Sequence, residues 1–63
     1  MKKPSKLKLL LVTRGLVQAD VAKLAGLSES RLSRIVRGRV EPRAFELKNL
    51  AQALGVQREE VQG

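Results

Sequence analysis

Cysteine and histidine are both absent from this chain, and so are tryptophan and tyrosine. Without cysteine there are no disulfides and no thiolate ligands to staple the fold. Without histidine the other common zinc ligand is missing, along with the side chain best suited to acid–base work near neutral pH. No metal site, cofactor or enzymatic centre is therefore expected, and no pair of carboxylates stands out to replace one. Phe45 is the lone aromatic, which argues against single-strand binding, because that mode relies on bases stacking on several rings. Long apolar runs are missing too. The longest, Leu9 to Val12, falls far short of the 18 or so residues of a membrane span and of the roughly 7 of a secretory h-region. No membrane partner and no small-molecule ligand is implied, and a cytoplasmic location fits.

What the chain does have is positive charge. Thirteen Lys and Arg stand against six Asp and Glu, a net +7 in 63 residues. Such an imbalance implies a polyanionic partner; the plainer alternative is a basic surface that serves only solubility. The length allows one small domain, which buries roughly 60% of the surface of its unfolded chain.

Glycine punctuates the sequence at 15, 26, 38 and 55, and short amphipathic helices fit between the marks. Residues 1–4 read as a basic mobile tail and residues 5–63 as one all-α domain of five short helices. Ser5 can cap a first helix to about Arg14, with Leu7, Leu10 and Leu11 at i, i+3 and i+4. Gln18 to Ala25 fits a second, with Val21, Leu24 and Ala25 inward, although Val17 is a poor N-cap that forfeits about 1 kcal/mol. Ser28 caps a third helix through Arg37. Pro42 delays the fourth to Ala44–Leu54, whose stripe is Leu47, Leu50, Ala51 and Leu54. A last turn, Arg58 to Val61, carries Glu59 and Glu60 near its positive end. Phe45 lies opposite the fourth helix's stripe, either folded onto the preceding loop or free for contact between copies. Leu9 and Val12 sit off the stripe of the first helix and either cover Val61 or stay exposed.

The third helix has the most informative wheel. Leu32, Ile35 and Val36 share one arc, while Ser30, Ser33, Arg34 and Arg37 hold the other, with Glu29 and Arg31 at the edges. Guanidinium groups interleaved with small hydroxyls suit a DNA groove, because Arg bonds guanine N7 and O6 in bidentate fashion and Ser donates to bases or phosphates. Arg39 and Arg43 continue the positive stripe toward the phosphates, beside Arg31 and Arg37. An arginine-rich solvated face would look similar on its own. The connection to the preceding helix adds weight: only Gly26, Leu27 and Ser28 separate the two, the tight joint of a helix-turn-helix unit.

Here the stretch QADVAKLAGLSESRLSRIVRG, followed by EPRAFELKNLAQALGV, resembles the Cro and phage-repressor family of helix-turn-helix proteins, the lambda-repressor-like domains, over about Leu7 to Val61. The resemblance implies a repressor-like transcriptional regulator that binds a palindromic double-stranded operator as a homodimer, one that forms only on DNA if no separate dimerisation arm exists. It implies that Gln18 and Ser28 hold phosphates and that Glu29, Ser30 and Arg34 face base edges, with Ser33 beside them. Glu29 could accept from a cytosine amino group, and Arg34 is the candidate reader of guanine. Two positions depart from the pattern. Many relatives pair a helix-one Arg with a Glu at the end of helix three, where this chain has Leu11 and Val36; a joint apolar replacement is expected to bring the two into contact in the core. The other departure is Val17. The competing readings are an antitoxin-type autoregulator, which usually needs a further toxin-binding segment, and a protein-interaction or dimerisation module that kept the fold and lost DNA binding.

Overall fold

A computed structural model describes residues 6–61; the expected Ser5 cap and the tail of residues 1–4 lie outside the described residues. The element order is α1 (Lys6–Arg14), α2 (Gln18–Ala25), α3 (Glu29–Val36), α4 (Ala44–Leu54) and α5 (Arg58–Val61), with no strand among the described residues. The expected boundaries hold to within one residue, α3 closing at Val36 with Arg37 as its C-cap.

Helix α4 is the hub: it packs most extensively on α2 and also on α5, while α3 packs on α2 and α5 on α1. Its stripe of Leu47, Leu50, Ala51 and Leu54 meets Leu7 and Leu11 of α1, Val21, Ala22 and Ala25 of α2, Leu32, Ile35 and Val36 of α3, and Val61 in one buried cluster. Leu11 and Val36 are both in that cluster, so the apolar replacement at these two positions is accommodated by burial. Leu10 is only partly buried against the same cluster.

Helix α2 corrects one expectation. Leu24, placed inward from the sequence, is 72% exposed, whereas Val21, Ala22 and Ala25 are buried. The face that α2 buries is centred between Val21, Ala22 and Ala25, and at 100° per residue Leu24 falls about 105° away from that centre. Two alanines on the inner face let the α2 and α4 backbones come close, which a leucine there would prevent. Val17 caps α2 in an extended conformation with no side-chain bond, as its apolar side chain dictates. Phe45 is 56% exposed, so it is not a buried satellite of the core.

Helix ends leave carbonyls without intrahelical partners, and two side chains from other helices satisfy some of them. Asn49 of α4 donates Nδ2–H to the carbonyl of Ala25 at 3.2 Å, and Arg14 donates from Nη1 to the carbonyl of Leu54 at 2.6 Å. The first bond joins α4 to the end of α2 just before the tight turn. The second joins the end of α1 to the end of α4. Both help fix the frame from which α3 projects.

Candidate nucleic-acid interface

The turn between α2 and α3 is built by a short sequence of local choices. Gly26 adopts φ +71°, a left-handed conformation that costs other residues about 1 kcal/mol or more. That reversal lets the Leu27 N–H reach back to the Ala22 carbonyl at 2.8 Å, and Leu27 packs against the core. Ser28 then stays extended, and its Oγ accepts the Arg31 backbone N–H at 3.0 Å. Three residues thus end one helix, turn the chain and start the next.

Helix α3 separates its two sides cleanly. Leu32, Ile35 and Val36 are buried, whereas Glu29, Ser30, Arg34 and Arg37 are exposed and Ser33 is half-buried. An α-helix with its side chains is about 10 to 12 Å across, which matches the B-DNA major groove, about 12 Å wide. Gln18, half-buried, opens α2, and Ser28 opens α3. The Ser28 oxygen is occupied by the cap, but its hydroxyl proton remains available to an acceptor outside. Arg39 and Arg43 are exposed on the segment between α3 and α4, so the structure brings Arg34, Arg37, Arg39 and Arg43 to the surface on α3 and the connection that follows it.

Arg31 is placed differently from the other arginines. Expected among the phosphate contacts, it turns its guanidinium toward Glu46 of α4, donating from Nε to Oε2 at 2.9 Å and from Nη2 to Oε1 at 2.8 Å. The physical reason lies with Glu46, whose side chain is only 4% exposed, against 28% for Arg31. A carboxylate so far removed from water requires a cation and further donors. The Arg43 backbone N–H supplies another bond to Glu46 Oε1, at 2.7 Å. This is half of a capping box, since the Arg43 guanidinium has no acceptor with which to return it. The hydrogen bonds from Arg31 dominate, and they hold the Glu46 carboxyl at a pKa of about 2, below its ordinary 4.5 despite the opposing effect of burial. The same bonding raises the Arg31 pKa further.

Sequence reasoning missed Glu46, Arg14 and Asn49. For Glu46 a signal existed. It stands four residues before Leu50, hence on nearly the same face of α4, and a carboxylate at the edge of a buried stripe calls for a partner. Which arginine answers was not legible, because Arg31 is 15 residues away and on another helix. Arg14 and Asn49 act on carbonyls 40 and 24 residues distant, and no local pattern reveals such pairings.

The described residues contain no helix long and apolar enough to cross a membrane and no group of three or more potential metal ligands. A turn this tight, followed by a helix that buries its aliphatic side and exposes Glu29, Ser30 and Arg34, is the helix-turn-helix architecture of a DNA-binding regulator. The chain belongs to the helix-turn-helix domain family, whose model it matches over residues 5–62. Among solved structures it is similar to the restriction-modification controller protein C.AhdI from Aeromonas hydrophila. The two share 30% identity over 89% of this chain and 85% of that one, with a TM-score of 0.82. No curated protein sequence matches the chain closely enough to count as a relative.

Proposed function

We propose that the protein is a transcriptional regulator that recognises a specific duplex sequence by laying α3 in the major groove. The observation that carries this reading is the two-sided α3: three buried aliphatics hold it to the core while Glu29, Ser30 and Arg34 stand exposed on its outer side. Arg34 reads guanine through N7 and O6, Glu29 accepts from a cytosine amino group, and Ser30 and Ser33 complete the base-reading set. Gln18, Ser28, Arg37, Arg39 and Arg43 contact phosphates and set the register of the helix on the duplex. Arg31 is left out of that set because its guanidinium serves Glu46.

A single helix of this length spans only about four base pairs, too few to single out a site. Two copies on half-sites about one helical turn apart, roughly 34 Å, read enough sequence. Binding as a homodimer to a palindromic operator is therefore part of the proposal, and exposed Phe45 is a candidate for the contact between copies. A cytoplasmic regulator acting by occupancy, without catalysis, fits a chain of this size and charge. The likeness to a restriction-modification controller protein supports a controlling role.

Selection of bound duplexes from a randomised library at about 150 mM salt tests the reading, since that ionic strength suppresses non-specific binding. Enrichment of a palindrome with half-sites near one turn apart is expected. Arg34→Ala should then lower affinity by about 1 to 3 kcal/mol and relax one base position in each half-site. Bound DNA without a consensus would instead favour a protein-interaction module.

A further inference from the structure

Arg31 and Glu46 lie between the two parts of the surface that the proposed function uses. Base reading is assigned to α3, whereas Arg39 and Arg43 sit on the connection from α3 to α4, which has no helix of its own to hold it. The guanidinium of Arg31 leaves α3 and meets both oxygens of Glu46 at 2.8 and 2.9 Å. The same Nη2 reaches the Glu41 carbonyl at 3.5 Å, and Glu46 takes the Arg43 N–H at 2.7 Å. One side chain of α3 and one of α4 thus hold the backbone at Glu41 and at Arg43, on either side of Pro42.

We propose that Arg31 and Glu46 are positioning residues for DNA recognition: their forked bond locks the 37–43 connection to α3, so that phosphate contacts by Arg39 and Arg43 and base reading by Arg34 are made from one rigid frame. The inference rests on the reading of α3 as the recognition helix. Three observations support it. The bond uses the fixed planar fork of arginine on both carboxylate oxygens, a geometry that lysine cannot reproduce. Glu46 is 3% exposed, the buried charged residue among those described, so releasing it from Arg31 would strand a charge and the joint has little freedom to open. And the backbone N–H of Arg31 bonds Ser28, so the residue that grips α4 also closes the first turn of α3. A recognition surface whose supporting groups are loose by an ångström loses discrimination before it loses its fold.

The test compares Arg31→Lys, Glu46→Gln and Arg39→Ala with the wild-type protein, on the selected consensus duplex and on a random duplex, across about 50 to 300 mM salt. Melting curves followed by helical ellipticity fix a temperature at which every variant is fully folded. Arg31→Lys keeps the charge and loses the fork. It should bind the consensus about tenfold more weakly, with the random duplex nearly unaffected and the salt slope unchanged. Glu46→Gln should act in the same direction. Arg39→Ala should behave otherwise, weakening both duplexes alike and reducing the slope by about one.

Wild-type binding by Arg31→Lys would overturn the inference, since the forked bond would then be dispensable for recognition. So would an unchanged ratio of consensus to random affinity in both pair variants with only their melting points lowered, which is the signature of a structural bond. Either result would leave the recognition reading intact. Failure of the wild-type protein to show any consensus would remove that reading and this inference together.

Discussion

Helices α1 and α3 are of nearly equal length and lie in the same small domain, yet they divide their side chains in opposite ways. On α3 every aliphatic residue is buried and every exposed residue is polar or charged. On α1 only Leu7 and Leu11 are buried, while Leu9 is 52% and Val12 70% exposed. The outward side of α3 is therefore wholly polar, and that of α1 is not. Net charge alone would not separate them, because α1 begins with Lys6 and Lys8. What sets α3 apart is that Leu32, Ile35 and Val36 clamp it from behind while every residue exposed in front is polar or charged.

The clamp behind α3 gives the largest expected effects. Leu32 is fully buried, and Leu32→Ala should cost about 3 kcal/mol through lost transfer energy and the cavity left behind. In a domain of this size that is a large part of the total stability. Urea unfolding should show the midpoint falling steeply while Leu9→Ala, removing the same atoms from α1, leaves it nearly unchanged. Equal losses from the two substitutions would end the contrast between the helices.

Acid should act on the joint between α3 and α4. The folded-state pKa of Glu46 is lowered from 4.5 to about 2, so the native protein holds this carboxylate ionised where the unfolded chain would protonate it. Its contribution to stability is fully present above about pH 5, declines as the unfolded form takes up protons, and is gone once the pH has fallen through about 2. The groups facing it are Arg31 from α3 and the Arg43 N–H at the start of α4, both permanent donors in this range, so the titrating partner is Glu46 itself. The loss should be on the order of 2 kcal/mol. Unfolding curves from pH 7 to pH 2 check it: Glu46→Gln should be less stable at pH 7 and should lose less on acidification. Parallel pH profiles for the two proteins would refute the assignment.

These cases mark how far the sequence could be read. Gly26, the Ser28 cap and the aliphatic spacing of α3 are local signals, each decided within a few residues by backbone freedom or hydrogen bonding, and they located the turn and the helix it precedes. Leu24 was misplaced because a wheel cannot tell which of two adjacent arcs a neighbour will cover, and the close approach of α4 selected the arc with two alanines. Arg31 looked like its fellow arginines because its partner lies on another helix. The fold and the outer side of α3 were therefore legible, whereas the inner polar contacts that orient them were set by tertiary packing.

The smallest expected effect is the sharpest probe of the comparison. If the outward side of α1 meets only water, replacing Leu9 and Val12 together by glutamine exchanges apolar for polar surface at sites that pack against little. Stability should then shift by no more than about 0.5 kcal/mol, since scattered surface aliphatics contribute little to a core. Affinity for the consensus duplex should not change, because the face belongs neither to α3 nor to the connection after it. Both quantities can be measured on one preparation, by urea unfolding and by titration of labelled DNA at several protein concentrations. A loss of affinity that grows as the protein is diluted, with unfolding unaltered, would mean that a second copy covers α1 on the duplex. In that event α1 and α3 would differ in the partner each faces, one apolar and one anionic, and both outer sides would belong to function.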